Sequence, residues 1–249
     1  MEGSIVKAQS EYLLKVEKLL EKVRNQSSTE LESAAQAIAN CLEKGGLIHV
    51  FGTGHSHMLA EELFYRAGGL GNVNPILEED LMLHLSASRS TEIERTRGLA
   101  EQILQKQNIG PHDVFILASN SGGNAVIEEM AQAVKGRGHT LIAVTSITHA
   151  SAAGARANGV KLHQLADIVL DNYGELGDAS ISIPGLETKV GPTSSVIGTA
   201  IVNAISVRAA EILSARGIKP TVFASSNTSA GERHNSDLVE ELRKLVKIL

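Results

Sequence analysis

ILASNSGGNAVIEEM, residues 116–130, begins as an apolar strand and ends as an amphipathic helix. The junction at residues 119–124 contains two serines, two glycines and two asparagines. Glycines let backbone N–H groups approach a ligand closely, because no Cβ stands in the way. The start of the following helix adds N–H groups without partners and the positive end of the helix dipole. The stretch therefore predicts an anion site after a buried strand. Its alternative role is an ordinary strand-to-helix turn that Ser and Asn cap.

The same alternation of apolar runs and helical patterns continues along the chain. Strands are predicted at residues 47–52, 72–77, 113–119, 140–146 and 167–172, and a single helix is predicted at residues 91–110. Strands that alternate with helices indicate a parallel sheet with right-handed crossovers. The continuous apolar runs indicate helices on both faces, and Pro75 places the second strand at an edge. The predicted fold class is therefore α/β, with a five-stranded parallel sheet.

Helical patterns at both ends of the chain flank this core. We expect a helical arm at residues 1–29, a central domain at residues 30–215, and a loop with a helix at residues 216–249, all in a single compact unit. The arm is amphipathic, so it must pack on its own domain or on a partner subunit. The helix at residues 193–217 is apolar almost all round, which predicts a buried, central position.

Composition and charge exclude several classes of function. The chain has 249 residues, a formal net charge of −5 and no run of Lys or Arg, which argues against a nucleic-acid surface. Trp is absent and aromatic residues make up 3%, so stacking platforms for bases are not expected. The single cysteine, Cys41, fits a reducing compartment. The chain shows neither a signal-peptide pattern nor an apolar run of membrane-spanning length, so we expect a cytoplasmic protein without a membrane partner.

A second glycine-rich turn, FGTGHSH at residues 51–57, follows the first strand. In the flavodoxin-like order 2-1-3-4-5, the first and third strands are neighbours, and ligands bind where their carboxyl ends meet. Both turns would then line one crevice, together with the start of the long apolar helix. The predicted phosphate ligands are Gly54, Ser56, Ser119, Asn120, Ser121, Gly122, Gly123, Asn124, Thr193, Ser194 and Ser195.

The first turn has two alternative interpretations. A dinucleotide fingerprint, as in a nucleotide-binding Rossmann protein, needs a third glycine where His57 stands. His55 and His57 could contribute to a metal site, but the pair has no nearby third ligand. We therefore predict no cofactor and assign no metal.

Four stretches resemble the successive landmarks of the SIS (sugar isomerase) domain. They are HVFGTGHSHMLAEEL (49–63), residues 113–146, ADIVLDN (166–172) and GPTSSVIGTAIVNAI (191–205), and the likeness spans residues 30–215. The phosphate loop of that family usually reads S-x-S-G-x-T; Ser119, Ser121 and Gly122 match it, and Asn124 stands in place of Thr. The whole chain is similar to uncharacterised members labelled phosphoheptose isomerases. The resemblance implies a three-layer α/β sandwich, a homodimer or homotetramer, and a site for a phosphorylated sugar that a neighbouring subunit often completes.

The family includes aldose–ketose isomerases, an etherase that acts on a muramic acid phosphate, and sugar-sensing regulators. Isomerisation and ether elimination both need a base near the sugar, and isomerisation also needs an acid/base group for ring opening. The candidates are Glu62, Glu79, Glu94 and His234, and Glu62 or Glu79 is favoured because both follow strand ends at the crevice.

Each candidate also has an ordinary alternative. Glu62 and Glu79 could be exposed charges, and His234 could be a solvated loop residue. Glu94 resembles a functional Glu of the etherase branch, but it could also form a capping box with Thr91.

The zinc-type phosphoheptose isomerases carry His and Glu one turn apart after the first strand. Glu62 and Arg66 stand at those places here, and Ser195 and Asn203 stand near those of the other two ligands. The zinc site therefore does not carry over.

These observations favour a phosphosugar-binding protein that acts as a sugar-phosphate isomerase or lyase through a carboxylate and histidine pair. The alternative is a non-catalytic module that senses or sequesters a phosphosugar.

Overall fold

Five parallel strands form the central sheet of the computed structural model, which describes residues 7–152 and 159–249. They are β1 (Ile48–Gly52), β2 (Val73–Ile76), β3 (Val114–Ala118), β4 (Thr140–Thr145) and β5 (Ile168–Asp171). Their order, β2-β1-β3-β4-β5, confirms the predicted α/β class and the flavodoxin-like arrangement. Strand β2, which contains Pro75, lies at an edge of the sheet, as expected for a residue that has no N–H group to donate.

Helices surround this sheet. In chain order they are α1 (Ala8–Gln26), α2 (Ser28–Glu43), α3 (Met58–Leu63), α4 (Ala87–Ile93), α5 (Leu99–Gln105), α6 (Ala125–Gly136), α7 (Ile147–Ala152), α8 (Leu162–Leu165), α9 (Ser194–Ala215) and α10 (Ser229–Leu242). Residues 1–6 of the predicted arm lie outside the described residues.

Side chains of each strand alternate between two hydrophobic cores, one on each face of the sheet. Val50 and Ile116 belong to the core that α1, α2, α3 and α9 cover. Phe51 and Leu117, one position further along each strand, belong to the core that α5 and α6 cover. Full burial of a side chain of this size contributes about 1.5–3 kcal/mol. The sheet is therefore the middle of three layers.

Helix α9 packs against α2 and α3 in the first of these helical layers. It is long and apolar enough to cross a membrane, so the expectation that no apolar run reaches that length is wrong. Half of this apolar stretch is buried within the fold, where Ile197, Ile201 and Ile205 join the core. A core helix of a globular domain can be equally long and apolar, and α9 packs as such a helix.

Two segments differ from the sequence-based expectation. The single helix predicted at residues 91–110 is divided into α4 and α5, because Gly98 between them adopts a left-handed conformation with φ 82°. In residues 174–192, for which no element was predicted, β6 (Ala179–Ile181) and β7 (Val190–Pro192) form an antiparallel pair. The Tyr12 hydroxyl of α1 donates to the Pro192 carbonyl at 2.8 Å, which ties this pair to the first helix.

A buried polar network lies at the amino end of the sheet. His49 Nε2 is 2.8 Å from Asp113 Oδ2, and Asn74 Nδ2 is 2.9 Å from His49 Nδ1. Burial alone would raise the pKa of Asp113, but hydrogen bonds from His49 and from the amides of Leu47 and Gly110 lower it overall. An ionised Asp113 therefore joins β1 to the start of β3. This network stabilises the fold at the end of the sheet opposite the crevice.

Candidate functional site

The two glycine-rich turns leave neighbouring strands at the same level. Gly52 at the end of β1 pairs with Ala118 at the end of β3, so both turns begin at one edge of the sheet. A narrow pocket opens there between the turns and the start of α9. Its polar lining includes five of the predicted phosphate ligands, which are Ser56, Ser119, Asn120, Ser194 and Ser195, and it also includes Asn172.

The loop at residues 119–124 leaves several donors available. Gly122 adopts a left-handed conformation with φ 60°, and its amide donates to Ser119 Oγ at 3.1 Å. The amides of residues 121, 123 and 124 donate to no acceptor in the described part of the chain, and the Ser121 hydroxyl makes no hydrogen bond there either. Unsatisfied amides next to the first turn of a helix form an anion site. The loop therefore leaves these donors available to an anion.

Asn124, a predicted phosphate ligand, makes hydrogen bonds to other parts of the protein. Its Oδ1 accepts a hydrogen bond from the Ile127 amide at 2.8 Å and so caps α6. Its Nδ2 donates to Thr53 Oγ1 at 2.9 Å and to Glu94 Oε2 at 3.1 Å. Because an amide group has two N–H donors, both are engaged. Asn124 thus ties the two turns together, and its phosphate contact stays a prediction.

Glu94 lies at the junction of the two turns. The capping-box interpretation of Glu94 is wrong. A capping box lies at the start of a helix, but Glu94 follows the last residue of α4, and Ser86 caps the start of that helix. Its Oε2 accepts hydrogen bonds from Thr53 Oγ1 at 3.0 Å and from Asn124. Its Oε1 accepts none from the described residues. Glu94 therefore offers one carboxylate oxygen beside the loop at residues 119–124.

The other candidates for acid–base chemistry lie elsewhere. Glu62 forms an ion pair with Arg66 and accepts a hydrogen bond from Asn203 Nδ2 at 2.6 Å. Glu79 is exposed and lines a separate cleft with Lys106. His234 is exposed on α10, where its Nε2 lies 2.9 Å from the Val222 carbonyl oxygen. None of the three lines the pocket between Ser119 and Ser195, and Glu94 does not line it either, but Glu94 alone of the four bonds to both turns, through Thr53 and Asn124.

An internal carboxylate occupies the start of α9. Asp178 accepts hydrogen bonds from the amides of Thr193 at 3.1 Å and Ser194 at 2.9 Å, and from the Ser194 hydroxyl at 2.5 Å. Donors of Thr193 and Ser194 that the sequence offered to a phosphate are therefore already engaged. Ser195 keeps its place in the pocket lining.

Lys161 was not predicted as part of the site. It is buried, with 7% of its surface exposed, and its Nζ lies 3.4 Å from the carbonyl oxygen of Ser121. Neither Lys161 nor Asp178 has a local sequence signal, because Lys161 lies 40 residues from Ser121 and Asp178 lies 15 residues from Thr193. Only the tertiary fold brings them to the two turns.

The two histidines of the first turn differ in their surroundings. The Nδ1 atom of His57 donates to the Gly54 carbonyl, and its Nε2 lies 3.3 Å from Glu61 Oε2. His55 is exposed. Over residues 7–152 and 159–249, no three His, Cys, Asp or Glu side chains are grouped as a metal site would require.

Comparisons with known proteins agree with this arrangement of strands and turns. The family model of the SIS domain matches residues 11–146. A UPF0309 protein of Geobacillus kaustophilus is 38% identical over 241 residues, which is 96% of each chain. A UPF0309 protein of Thermoanaerobacter pseudethanolicus is 40% identical over 244 residues, which covers 96% of this chain and 99% of that one. The structure of a phosphoheptose isomerase from Francisella tularensis is similar in fold, with a TM-score of 0.54 at 16% identity, over 84% of this chain and 100% of that one.

Proposed function

Because this chain belongs to the SIS-domain family, we propose that it binds a phosphorylated sugar and holds the phosphate on the loop at residues 119–124. One observation carries the proposal: the amides of residues 121, 123 and 124 have no acceptor in the described part of the chain, at a point where two strand ends and a helix start converge. Phosphate oxygens are the acceptors that such a loop fits best.

We further propose that the bound sugar reacts, with Glu94 as the base. In an isomerase the base removes the proton from C2 and returns it to C1, while O1 gains a proton and the hydroxyl at O2 loses one. In a lyase the base removes the C2 proton, the electron pair of that bond forms a double bond to C3, the C3–O bond breaks, and the departing oxygen takes up a proton to leave as an alcohol. Either reaction needs a carboxylate oxygen near the carbon chain. Glu94 Oε1 is such an oxygen beside the phosphate loop, so we favour Glu94 over Glu62 and Glu79.

The second candidate function is a non-catalytic phosphosugar-binding module. It is favoured by the positions of Glu79 and His234, since neither lines the pocket. His234 would serve as the acid only from a neighbouring copy of the chain.

Proton exchange separates the two functions. The wild-type protein is incubated in D2O with hexose, heptose, amino-sugar and muramic acid 6-phosphates, and deuterium at C2 is measured by NMR. We expect exchange with at least one bound phosphosugar. We also expect Glu94→Gln to bind it with unchanged affinity and to stop the exchange, because the amide cannot accept the proton.

Glu92→Gln is the matched control, since Glu92 is exposed on α4 two positions away. Normal exchange by Glu94→Gln would overturn the assignment of the base. No exchange by the wild type with any sugar phosphate that it binds would favour the binding module.

We also propose that the protein assembles as a homodimer or homotetramer. Leu13 and Leu20 on α1 and Val207 on α9 are exposed apolar side chains on helices that pack together. Leu13 and Leu20 line the same groove, and exposed apolar surface of this kind marks an interaction site. Light scattering coupled to gel filtration would measure the mass, and a monomer at all concentrations would contradict the proposal.

A further inference from the structure

Lys161 is buried directly against the phosphate loop. Its backbone precedes α8, where the Leu162 amide donates to the Gly122 carbonyl at 2.8 Å and so fastens this segment to the loop. Its Nζ lies 3.4 Å from the Ser121 carbonyl oxygen. A Cβ on Gly123 would lie 2.6 Å from the same Nζ, so the ammonium group is in contact with the loop backbone at Gly123 as well.

We propose that Lys161 is the cationic phosphate-binding residue of this site. The proposal rests on the proposed function, because it assigns a residue to the same phosphate. Backbone amides and a hydroxyl supply only partial positive charges, whereas a sugar phosphate carries between one and two negative charges near pH 7. A full positive charge behind the loop supplies the counter-charge, and its attraction is strong because water is excluded at a buried position.

The position of Lys161 explains why residue 123 has no side chain. The left-handed conformation that requires glycine is at Gly122, not at Gly123. A methyl group at residue 123 would displace the end of the lysine side chain, because 2.6 Å is shorter than any Cβ contact allows. Glycine at this position therefore lets the ammonium group reach the loop.

A cation at this distance also selects the charge state of the ligand. The second pKa of a phosphate monoester is about 6, and a nearby positive charge stabilises the dianion over the monoanion. Affinity in the wild type should therefore rise as the pH increases from about 5.5 to 7.5, and removal of the lysine charge should reduce that rise.

The test measures binding of inorganic phosphate and of glucose 6-phosphate by calorimetry between about pH 5.5 and 7.5. We expect Lys161→Met to weaken both by about 10-fold to 100-fold, the range for loss of a charge-assisted hydrogen bond, and to flatten the pH profile. Lys161→Arg should restore part of the affinity and the pH dependence. Lys44→Met, at an exposed lysine after α2, is the control and should bind as the wild type does.

A second variant distinguishes a loss of the lysine charge from a failure of Lys161→Met to fold. Gly123→Ala keeps the lysine charge but moves it away from the loop, and it should weaken binding in the same direction. Gly136→Ala is its control, because a Cβ at Gly136 meets no atom within 4 Å. Unchanged affinity and an unchanged pH profile in Lys161→Met would overturn the assignment while phosphate binding stands. A wild type that binds neither these probes nor any other sugar phosphate would overturn the proposed function itself.

Discussion

Ser121 carries a hydroxyl group on the loop at residues 119–124 that is available to a ligand. It lies between two residues whose polar atoms have partners, since Asn120 Oδ1 accepts from Asn172 Nδ2 at 3.0 Å and the Gly122 amide donates to Ser119. The Ser121 side chain has no such partner among the described residues. Its hydroxyl can therefore donate to a phosphate without breaking an existing hydrogen bond.

We expect Ser121→Ala to lower the affinity for a bound sugar phosphate by about 1–3 kcal/mol, the contribution of a hydrogen bond to a charged group. The free energy of unfolding should change little, because the hydroxyl makes no hydrogen bond to the described protein. Calorimetry measures the affinity, and Ser10→Ala at an exposed position of α1 is the control. An affinity equal to that of the wild type would remove the hydroxyl from the site.

At this scale the sequence predicted residue types better than residue roles. Ser119, Asn120 and Ser195 line one pocket, as the two turns and the helix start suggested. The role of Glu94 was obscured because its spacing from Thr91 matches a capping box. Local spacing describes neighbours along a helix, and it does not show where the helix ends.

The segment at residues 91–110 illustrates the same limit at the scale of an element. Its composition predicts one helix, but Gly98 interrupts it, and the carbonyl of Glu94 accepts a hydrogen bond from the Val126 amide at 3.2 Å. The end of α4 is thus fixed to the start of α6 by tertiary contact. The apolar pattern of α9 correctly predicted one long helix that joins the core, but the helix is not buried on all sides, because Val196 and Val207 are exposed.

The N-terminus of α9 provides the prediction at this scale. Asp178 caps the helix from a left-handed conformation with φ 67°, which Asn and Gly tolerate but most residues do not. We expect Asp178→Gly to lower the free energy of unfolding by about 1–2 kcal/mol, because donors of Thr193 and Ser194 lose their acceptor. Asp178→Asn keeps an acceptor oxygen and should lose less.

Urea denaturation measures both variants. Because both replacements tolerate the backbone conformation, the difference between them isolates the acceptor. An Asp178→Gly variant as stable as the wild type would show that water satisfies the helix end equally well.

For the whole molecule, the sheet order and the three layers could be predicted because the apolar period of each strand and the alternation with helices permit few topologies. The contacts of Lys161 and Asp178 with the crevice could not be predicted, because each depends on how a loop returns to the sheet edge. The part of the site that directly follows the strand ends could therefore be predicted from the sequence. The part that comes from distant loops was not.

The pocket also draws its walls from both helical layers. Ser119 and Asn120 begin the loop that leads into α6, whose Val126 packs in the second core, whereas Ser194 and Ser195 begin α9, which packs in the first core. A sugar phosphate bound between them would contact both helical layers, which the sheet otherwise separates. We therefore expect saturating ligand to slow amide hydrogen exchange in α6 and α9 together, because opening either layer would first require release of the ligand. Protection confined to one layer would mean that the ligand touches only one wall, and the protein would then unfold from the other side as readily with its ligand as without it.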